Sequence, residues 1–536
     1  MSETAPKPPS TGPAPSRRLQ YTVLGREGLE FKLGPRKVRG ELVEKDEVDE
    51  RFTPAKIPSP VRDFEYSQVD GRFVSVLMPS GFKVLDTDSG DLVCEIDRPN
   101  VHKVALSPLG TFALSWEKYT PGMTEGNMIV WRLSDKKIMF QVVEKNMLSW
   151  TWPAVKWTND EMVAAHMIKN SIHIYDGKEF GRYIKLRDEG VTQFSIMKTA
   201  GELTEETPCR IATFKPEIKG SPAKVSIFNH PGNLERPVAG KTFFKAQEAK
   251  FEWSSLGNAV LCKTDTDVDT TGQSYYGESA LYLVHADGQY DCKILPAKEG
   301  SFHDFAWSPQ GRNFVAISGK SPASSIMYNI KGDPVFDFGQ AHRNTIRWSP
   351  HGRFLCLGGF GNLSGDMDFW DINKRAKMGS TRAHCAVTQQ WSPCGRFFMT
   401  STLFPRMRVD NGMTFYTYKG EKLYSVMVRE CSKALWRPAA TGVFADRPQT
   451  PLKKGEKAAK ASPKAADAPK KVGVYRPPGM QGTLAAQMRK EREGSAAPRK
   501  LTGSSATGPQ KPQKSKAALR RERKKKAAAA KAEEGN

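Results

Sequence analysis

Apolar positions along this chain gather in short, strand-length runs, and each run stops at a turn signal instead of continuing into a helical period. One such run-and-turn phrase occurs three times: Trp307-Ser308-Pro309-Gln310-Gly311-Arg312, Trp348-Ser349-Pro350-His351-Gly352-Arg353-Phe354, and Trp391-Ser392-Pro393-Cys394-Gly395-Arg396-Phe397. It reads as strand, tight turn, strand. The tryptophan ends one strand and supplies apolar bulk, while Pro fixes φ and Gly takes a conformation that other residues avoid. A new strand then opens, as at Phe354-Leu355-Cys356-Leu357. Another closes about 20 residues after the anchor, at Phe369-Trp370-Asp371 and Phe415-Tyr416-Thr417-Tyr418. The tryptophans are 41 and 43 residues apart, and Trp436-Arg437-Pro438 follows 45 further on. Such a period, with one aromatic anchor per unit, marks the four-stranded blade of a propeller.

Weaker copies lie upstream at Trp253-Ser254-Ser255-Leu256-Gly257, Trp157-Thr158-Asn159-Asp160, Leu106-Ser107-Pro108-Leu109-Gly110, and Tyr66-Ser67 with Asp70-Gly71-Arg72-Phe73. Phe194-Ser195 matches least well but divides the long gap between Trp157 and Trp253. The expected fold is all-β, a nine-bladed β-propeller of WD-like repeats, or an eight-bladed one if Phe194 is discounted. The ninth unit is incomplete, with only Gly442-Val443-Phe444 reading as a strand after Trp436. Tyr21-Thr22-Val23-Leu24 and Leu29-Glu30-Phe31-Lys32-Leu33 form an orphan pair near the other end. They are expected to complete the last blade and close the ring, hiding its sheet edges.

Charge divides the chain further. Of the net +23 over 536 residues, +17 falls in residues 447–536, which hold 24 Lys/Arg and 7 Asp/Glu. That stretch has Tyr475 as its only aromatic residue and cannot bury enough apolar surface to fold alone. The expected organisation is a disordered segment at 1–18, a propeller at 19–446 and a disordered basic tail at 447–536, helical near 515–534 once its charges are neutralised. The eight cysteines show no C-x-x-C pair and read as buried, reduced thiols in strands. No signal-peptide segment or membrane-length apolar run occurs, so a cytoplasmic location is expected, with no membrane partner.

Catalytic, cofactor and metal chemistry find no candidate. Gly319-Lys320-Ser321 and Gly240-Lys241-Thr242 imitate a phosphate loop, but Phe314 and Glu235 stand where its first glycine belongs. Asp265, Asp267 and Asp269 alternate like a calcium loop, yet Thr270 and Tyr276 replace its glycine and its bidentate glutamate. No H-E-x-x-H or G-x-S-x-G occurs. A non-enzyme is expected.

The stretch between phrases is more specific than the phrases. Residues 341–371, AHRNTIRWSPHGRFLCLGGFGNLSGDMDFWD, resemble the eukaryotic translation initiation factor 2A family. So do Thr264–Ser279 (TDTDVDTTGQSYYGES), Phe404–Gly412 (FPRMRVDNG) and Tyr475-Arg476-Pro477-Pro478, in the family's order. The resemblance implies a nine-bladed propeller with a flexible basic C-terminal region. It also implies a factor that directs initiator methionyl-tRNA to the small (40S) ribosomal subunit, without GTP and in a codon-dependent way, for a limited set of mRNAs. Other initiation factors are further expected partners. The GFGNL block is also similar to the propeller component of initiation factor 3, a non-catalytic scaffold at the same ribosomal site. About 20 residues precede the first predicted strand here, too few for the RNA-recognition module that precedes that propeller.

Clustered cations bind phosphate by counterion release, so the first RNA or ribosome candidates are Lys511, Lys514, Lys516, Arg520, Arg521, Arg523, Lys524, Lys525 and Lys526. The alternatives are a solubilising tail or a nuclear-import patch. Tyr475 and Arg476, stiffened by Pro477-Pro478, either contact a base or protein groove, or anchor the linker to the propeller. Arg406 and Arg408, before Asp410-Asn411-Gly412, and Arg343 and Arg347, before Trp348, form either a basic rim for RNA or partners for strand-end carboxylates. Gly359, Phe360, Gly361 and Asn362 read as turn geometry more than as a surface.

Overall fold

The computed structural model describes residues 18–38, 41–44, 47–49, 56–145, 147, 151–218, 220–266 and 278–450. Among these there is no α-helix, and the strands build a nine-bladed propeller. Eight blades are antiparallel four-stranded meanders in chain order, at residues 63–97, 101–142, 155–187, 193–243, 248–294, 302–341, 345–382 and 388–427. In the ninth, Lys433–Trp436 pairs with Gln20–Gly25, and Gln20–Gly25 pairs with Gly28–Leu33. Glu47–Val48 and Lys56–Pro58 cover the outer edge of Gly28–Leu33. Tyr21 sits opposite Trp436 and Val23 opposite Ala434, so the early strands close the ring as expected. Buried Arg437 fastens the closure to blade 1 by donating to the Gly71 and Thr87 carbonyls (2.9 Å each) and to Asp88 (2.6 Å).

The phrase does its work where strand one turns into strand two. In blades 6, 7 and 8 the glycine N–H returns to the serine carbonyl at 2.8 Å, with glycine φ values of 69°, 71° and 64°. The serine Oγ, sealed from solvent, accepts the backbone N–H five residues on, as from Phe354 at 3.0 Å and Phe397 at 3.1 Å. Thr158 and Ser107 do the same in blades 3 and 2.

The first strand of each blade lies innermost, touching the first strand of its neighbours, and its inner edge has no ladder partner. Neighbouring blades satisfy those edge groups. The indole N–H of Trp307 donates to the Glu252 carbonyl (2.9 Å), that of Trp348 to Ala306 (3.3 Å) and that of Trp391 to Arg347 (2.8 Å). Each acceptor immediately precedes the anchor of the previous blade. The tryptophan is therefore a stitch between blades as well as packing bulk. Side chains complete the seam: Glu252 accepts from the Trp307 N–H and Asp304 from the Ile346 N–H.

Burial pushes the Glu252 carboxyl up to about 7 despite that hydrogen bond. The folded state then holds a proton that the unfolded chain releases near the ordinary carboxylate value, so stability falls as pH rises through that window. Glu252→Gln keeps an acceptor and removes the charge. It is expected to match the unaltered protein at pH 5 and to exceed it at pH 8 by about 2 kcal/mol in urea denaturation.

Four expectations change. All nine blades are present, but the first strand of blade 4 ends at Ile196, two residues beyond Phe194. A long connection replaces the tight turn there, held by the Asp160 carboxylate, which accepts from the Ala200 and Gly201 N–H groups. Gly442-Val443-Phe444 is no strand. The chain also stays bound to the propeller through Thr450, whose N–H donates to the Tyr418 hydroxyl. Finally, Cys94, Cys209, Cys262, Cys292 and Cys356 are buried in strands, whereas Cys394 and Cys431 are buried in turns and Cys385 is exposed.

Candidate nucleic-acid interface

A meandering blade puts its first and third turns on one face of the ring. Its second turn and the link to the next blade lie on the other. The repeated phrases therefore all face one way. Two of the family-like blocks face the other: 359–365 of blade 7 and 403–411 of blade 8 are both second turns. Gly319–Pro322 is the second turn of blade 6, running strand to strand with no helix, and Gly240-Lys241-Thr242 lies inside a strand. Neither offers a phosphate nest. Asp267, Asp269, Thr270 and Tyr276 lie outside the described residues.

In blade 7 the block encodes shape. Phe360 is buried, and the Asn344 amide clamps its backbone, donating to its carbonyl (2.8 Å) and accepting its N–H (2.9 Å). Gly365 has a φ of 87°, and a Cβ there would lie 2.0 Å from the Ala383 carbonyl oxygen. Gly361, Asn362 and Ser364 are exposed.

In blade 8 the block presents chemistry. The Asn411 amide ties the loop to itself by donating to the Met407 carbonyl (2.8 Å), and the Phe404 N–H donates to the Cys431 carbonyl (2.7 Å). Outside this frame stand Phe404, Arg406, Arg408 and Val409, all exposed. Beside it, Met427 pairs in register with Gly412, and Arg429 follows on the link to blade 9. A shallow groove continues from Met427, Val428 and Arg429 to Arg26 and Glu27 of blade 9. Arg26 is neutralised by Glu430 at 3.1 Å. Among the described residues, Arg406, Arg408 and Arg429 find no ion-pair or side-chain hydrogen-bond partner. Three unpaired guanidinium groups beside an exposed ring suit phosphate and base-stacking contacts.

The other predicted arginines both bond to neighbouring blades, one buried and one exposed. Arg343 is buried, pairs with Asp368, and donates to Ser325 and to the Phe338 carbonyl. Arg347 spans three blades, donating to the Gln389 carbonyl (3.3 Å) and lying 3.8 Å from Asp304. Both take part in the seams between blades, but Arg343 is buried whereas Arg347 keeps 43% of its side chain accessible. Lys156 is another interior cation: burial holds it down at about 8, and it donates to the Phe194 carbonyl at 2.6 Å. Tyr475, Arg476, Lys511, Lys514, Lys516, Arg520, Arg521, Arg523, Lys524, Lys525 and Lys526 lie outside the described residues. Arg429 was not singled out in the sequence, because Met427-Val428-Arg429 there reads as a plain strand end. No group of three or more His, Cys, Asp or Glu side chains among the described residues could hold a metal ion, and no described helix is long and apolar enough to cross a membrane.

The family model for eukaryotic translation initiation factor eIF2A matches residues 241–434. The chain is 38% identical over 388 residues to eukaryotic translation initiation factor 2A of Dictyostelium discoideum, covering 72% of this chain and 62% of that protein. To the Schizosaccharomyces pombe protein of the same name it is 32% identical over 443 residues, covering 80% and 74%. A component of eukaryotic translation initiation factor 3 from Xenopus laevis is 28% identical over 294 residues, 54% of this chain and 41% of that one. A crystal structure described as the eukaryotic initiation factor superposes with a TM-score of 0.68 at 27% identity, over 80% of this chain and all of that one.

Proposed function

The chain belongs to the eukaryotic translation initiation factor 2A family, and on that premise we propose that it is a non-catalytic initiation factor that contacts RNA at the small ribosomal subunit. Its task is to direct initiator methionyl-tRNA to that subunit, without GTP, for a limited set of mRNAs in the cytoplasm. The observation that carries this reading is the blade 8 loop, where Arg406 and Arg408 join Arg429 beside Phe404 with no internal counter-charge. The +17 region after residue 446 supplies a second, less selective attraction.

Filter binding of initiator tRNA across a salt series tests it. Arg406→Glu, Arg408→Glu and Arg429→Glu together are expected to weaken binding and to lower the log–log salt slope by about 2, from about 0.7 per lost contact. An unchanged slope overturns the propeller contact. The slope should fall further in a chain ended at Thr450. If neither chain prefers initiator over elongator tRNA, the scaffold reading, like that of the factor 3 propeller, replaces tRNA delivery.

A further inference from the structure

The arginine that closes the repeated phrase has no role in the turn itself, and in blades 7 and 8 the chain's own C-terminal segment occupies it. Beyond Trp436 the backbone crosses the phrase face. From Phe444 it runs outward along the seam between blades 7 and 8, past the inner turns and on to the outer ones. His351 Nε2 donates to the Phe444 carbonyl (2.8 Å), which fixes the proton on that nitrogen. Arg353 grips the Asp446 carboxylate through both Nε (2.9 Å) and Nη2 (2.7 Å). Arg396, stacked on Tyr418 at 3.8 Å, donates to the Pro448 carbonyl (3.0 Å) and to Thr450 Oγ1 (2.7 Å). Gln449 reaches Asp371 at 2.7 Å. The Phe444 ring packs against the core shared by blades 8 and 9.

These are the contacts of a ligand, not of a blade. No strand ladder joins 444–450 to the propeller. Recognition combines side chains, at Asp446, Gln449 and Thr450, with backbone carbonyls at Phe444, Arg447 and Pro448. The receptor groups sit on tight, sealed turns, so the slot is preformed. Its main ion pair is part-exposed, with the Asp446 side chain 41% accessible, which keeps the segment releasable. Arg312, the same phrase position one blade earlier, is exposed and has no side-chain partner among the described residues. The same position one blade earlier thus seats no described segment.

We propose that the seam between blades 7 and 8 is a peptide-binding slot, held in cis by residues 444–450 and open to a protein partner that offers an extended segment with a carboxylate two residues before a proline. Such a partner would displace the chain's own segment. It would thereby also free the start of the basic region.

The probe is a fluorescein-labelled peptide of residues 441–450, TGVFADRPQT, titrated by anisotropy against the full chain. Asp446→Lys in the chain removes the cis grip and repels Arg353. That chain is expected to bind the probe at least about tenfold more tightly than the unaltered one. Arg353→Ala added to it should abolish binding, because the probe's carboxylate loses its partner and the lysine at 446 gains none. Equal affinity of the two chains, or binding that survives Arg353→Ala, overturns the proposal. Phe444→Ala opens the slot from its inner end and gives the same comparison if Asp446→Lys fails to fold. Dimerisation of the unaltered chain that free probe dissolves would give the slot to a second copy and overturn the assignment to a partner.

Discussion

Tyr21→Ala is expected to lower the stability of the folded ring by about 3–5 kcal/mol, the usual cost of emptying a buried aromatic site. Tyr21 is wholly buried, and its ring centroid lies 5.2 Å from that of Phe415 and 5.8 Å from that of Trp436. It thus packs blade 9 against blade 8. Its strand is also the middle of the one blade assembled from both ends of the propeller. Elsewhere a weakened strand stays tethered by its neighbours in sequence. Here Gln20–Gly25 and Lys433–Trp436 are far apart in sequence and are held together by four ladder pairs, by the Arg437 N–H on the Gln20 carbonyl and the Ser432 N–H on the Leu24 carbonyl, and by this ring packing. The loss should show as a lower urea midpoint and as faster trypsin cleavage at Arg26 and Lys32. Tyr183→Ala, on an exposed outer strand where the ring stacks on His173, is the control, with an expected cost of about 1 kcal/mol or less. A midpoint shift no larger than the control's would mean that the closure is not held by this packing.

Much of this architecture was legible in the sequence, because the phrase is a local device. Its Ser, Pro and Gly act within a few residues of one another, so the turn survives being read without its surroundings. The ring closure was legible for a different reason: Tyr21–Leu24 is strand-like and lacks a neighbour, and so is the sheet at Trp436. Long-range groups set what was not legible. Blade 4 loses its phrase because Asp160, some 40 residues earlier, organises the replacement loop. Phe444 looks like a strand residue, but it is an anchor for a segment bound through Arg353 and Arg396. The candidate surface was half visible. Arg406 and Arg408 lie in one block of sequence, whereas Arg429 joins them only because the antiparallel fourth strand brings Met427 back to Gly412.

Arg343 shows most sharply how a cation in sequence differs from a cation in space, and Asp368→Ala is the test. Burial alone would raise the Asp368 carboxyl, but Lys377 and Arg343 outweigh it and hold the group below its ordinary value. Removing the carboxylate leaves Arg343, 6% exposed, without its counter-charge, at an expected cost of about 3–5 kcal/mol. Arg343→Met with Asp368→Leu removes both charges and should recover most of that loss, because the desolvation cost leaves with them. The pair's contribution is present at neutral pH and is lost as pH falls through the lowered folded value of Asp368, so the gap between the unaltered and Asp368→Ala proteins should narrow in acid. Arg343→Met combined with Asp368→Leu should also leave the salt slope of tRNA binding untouched, while the Arg406, Arg408 and Arg429 reversals change it. If the Arg343 and Asp368 double variant lowered that slope by about one contact, Arg343 would be an RNA ligand reached through an opened seam, and the internal role given to it here would fail.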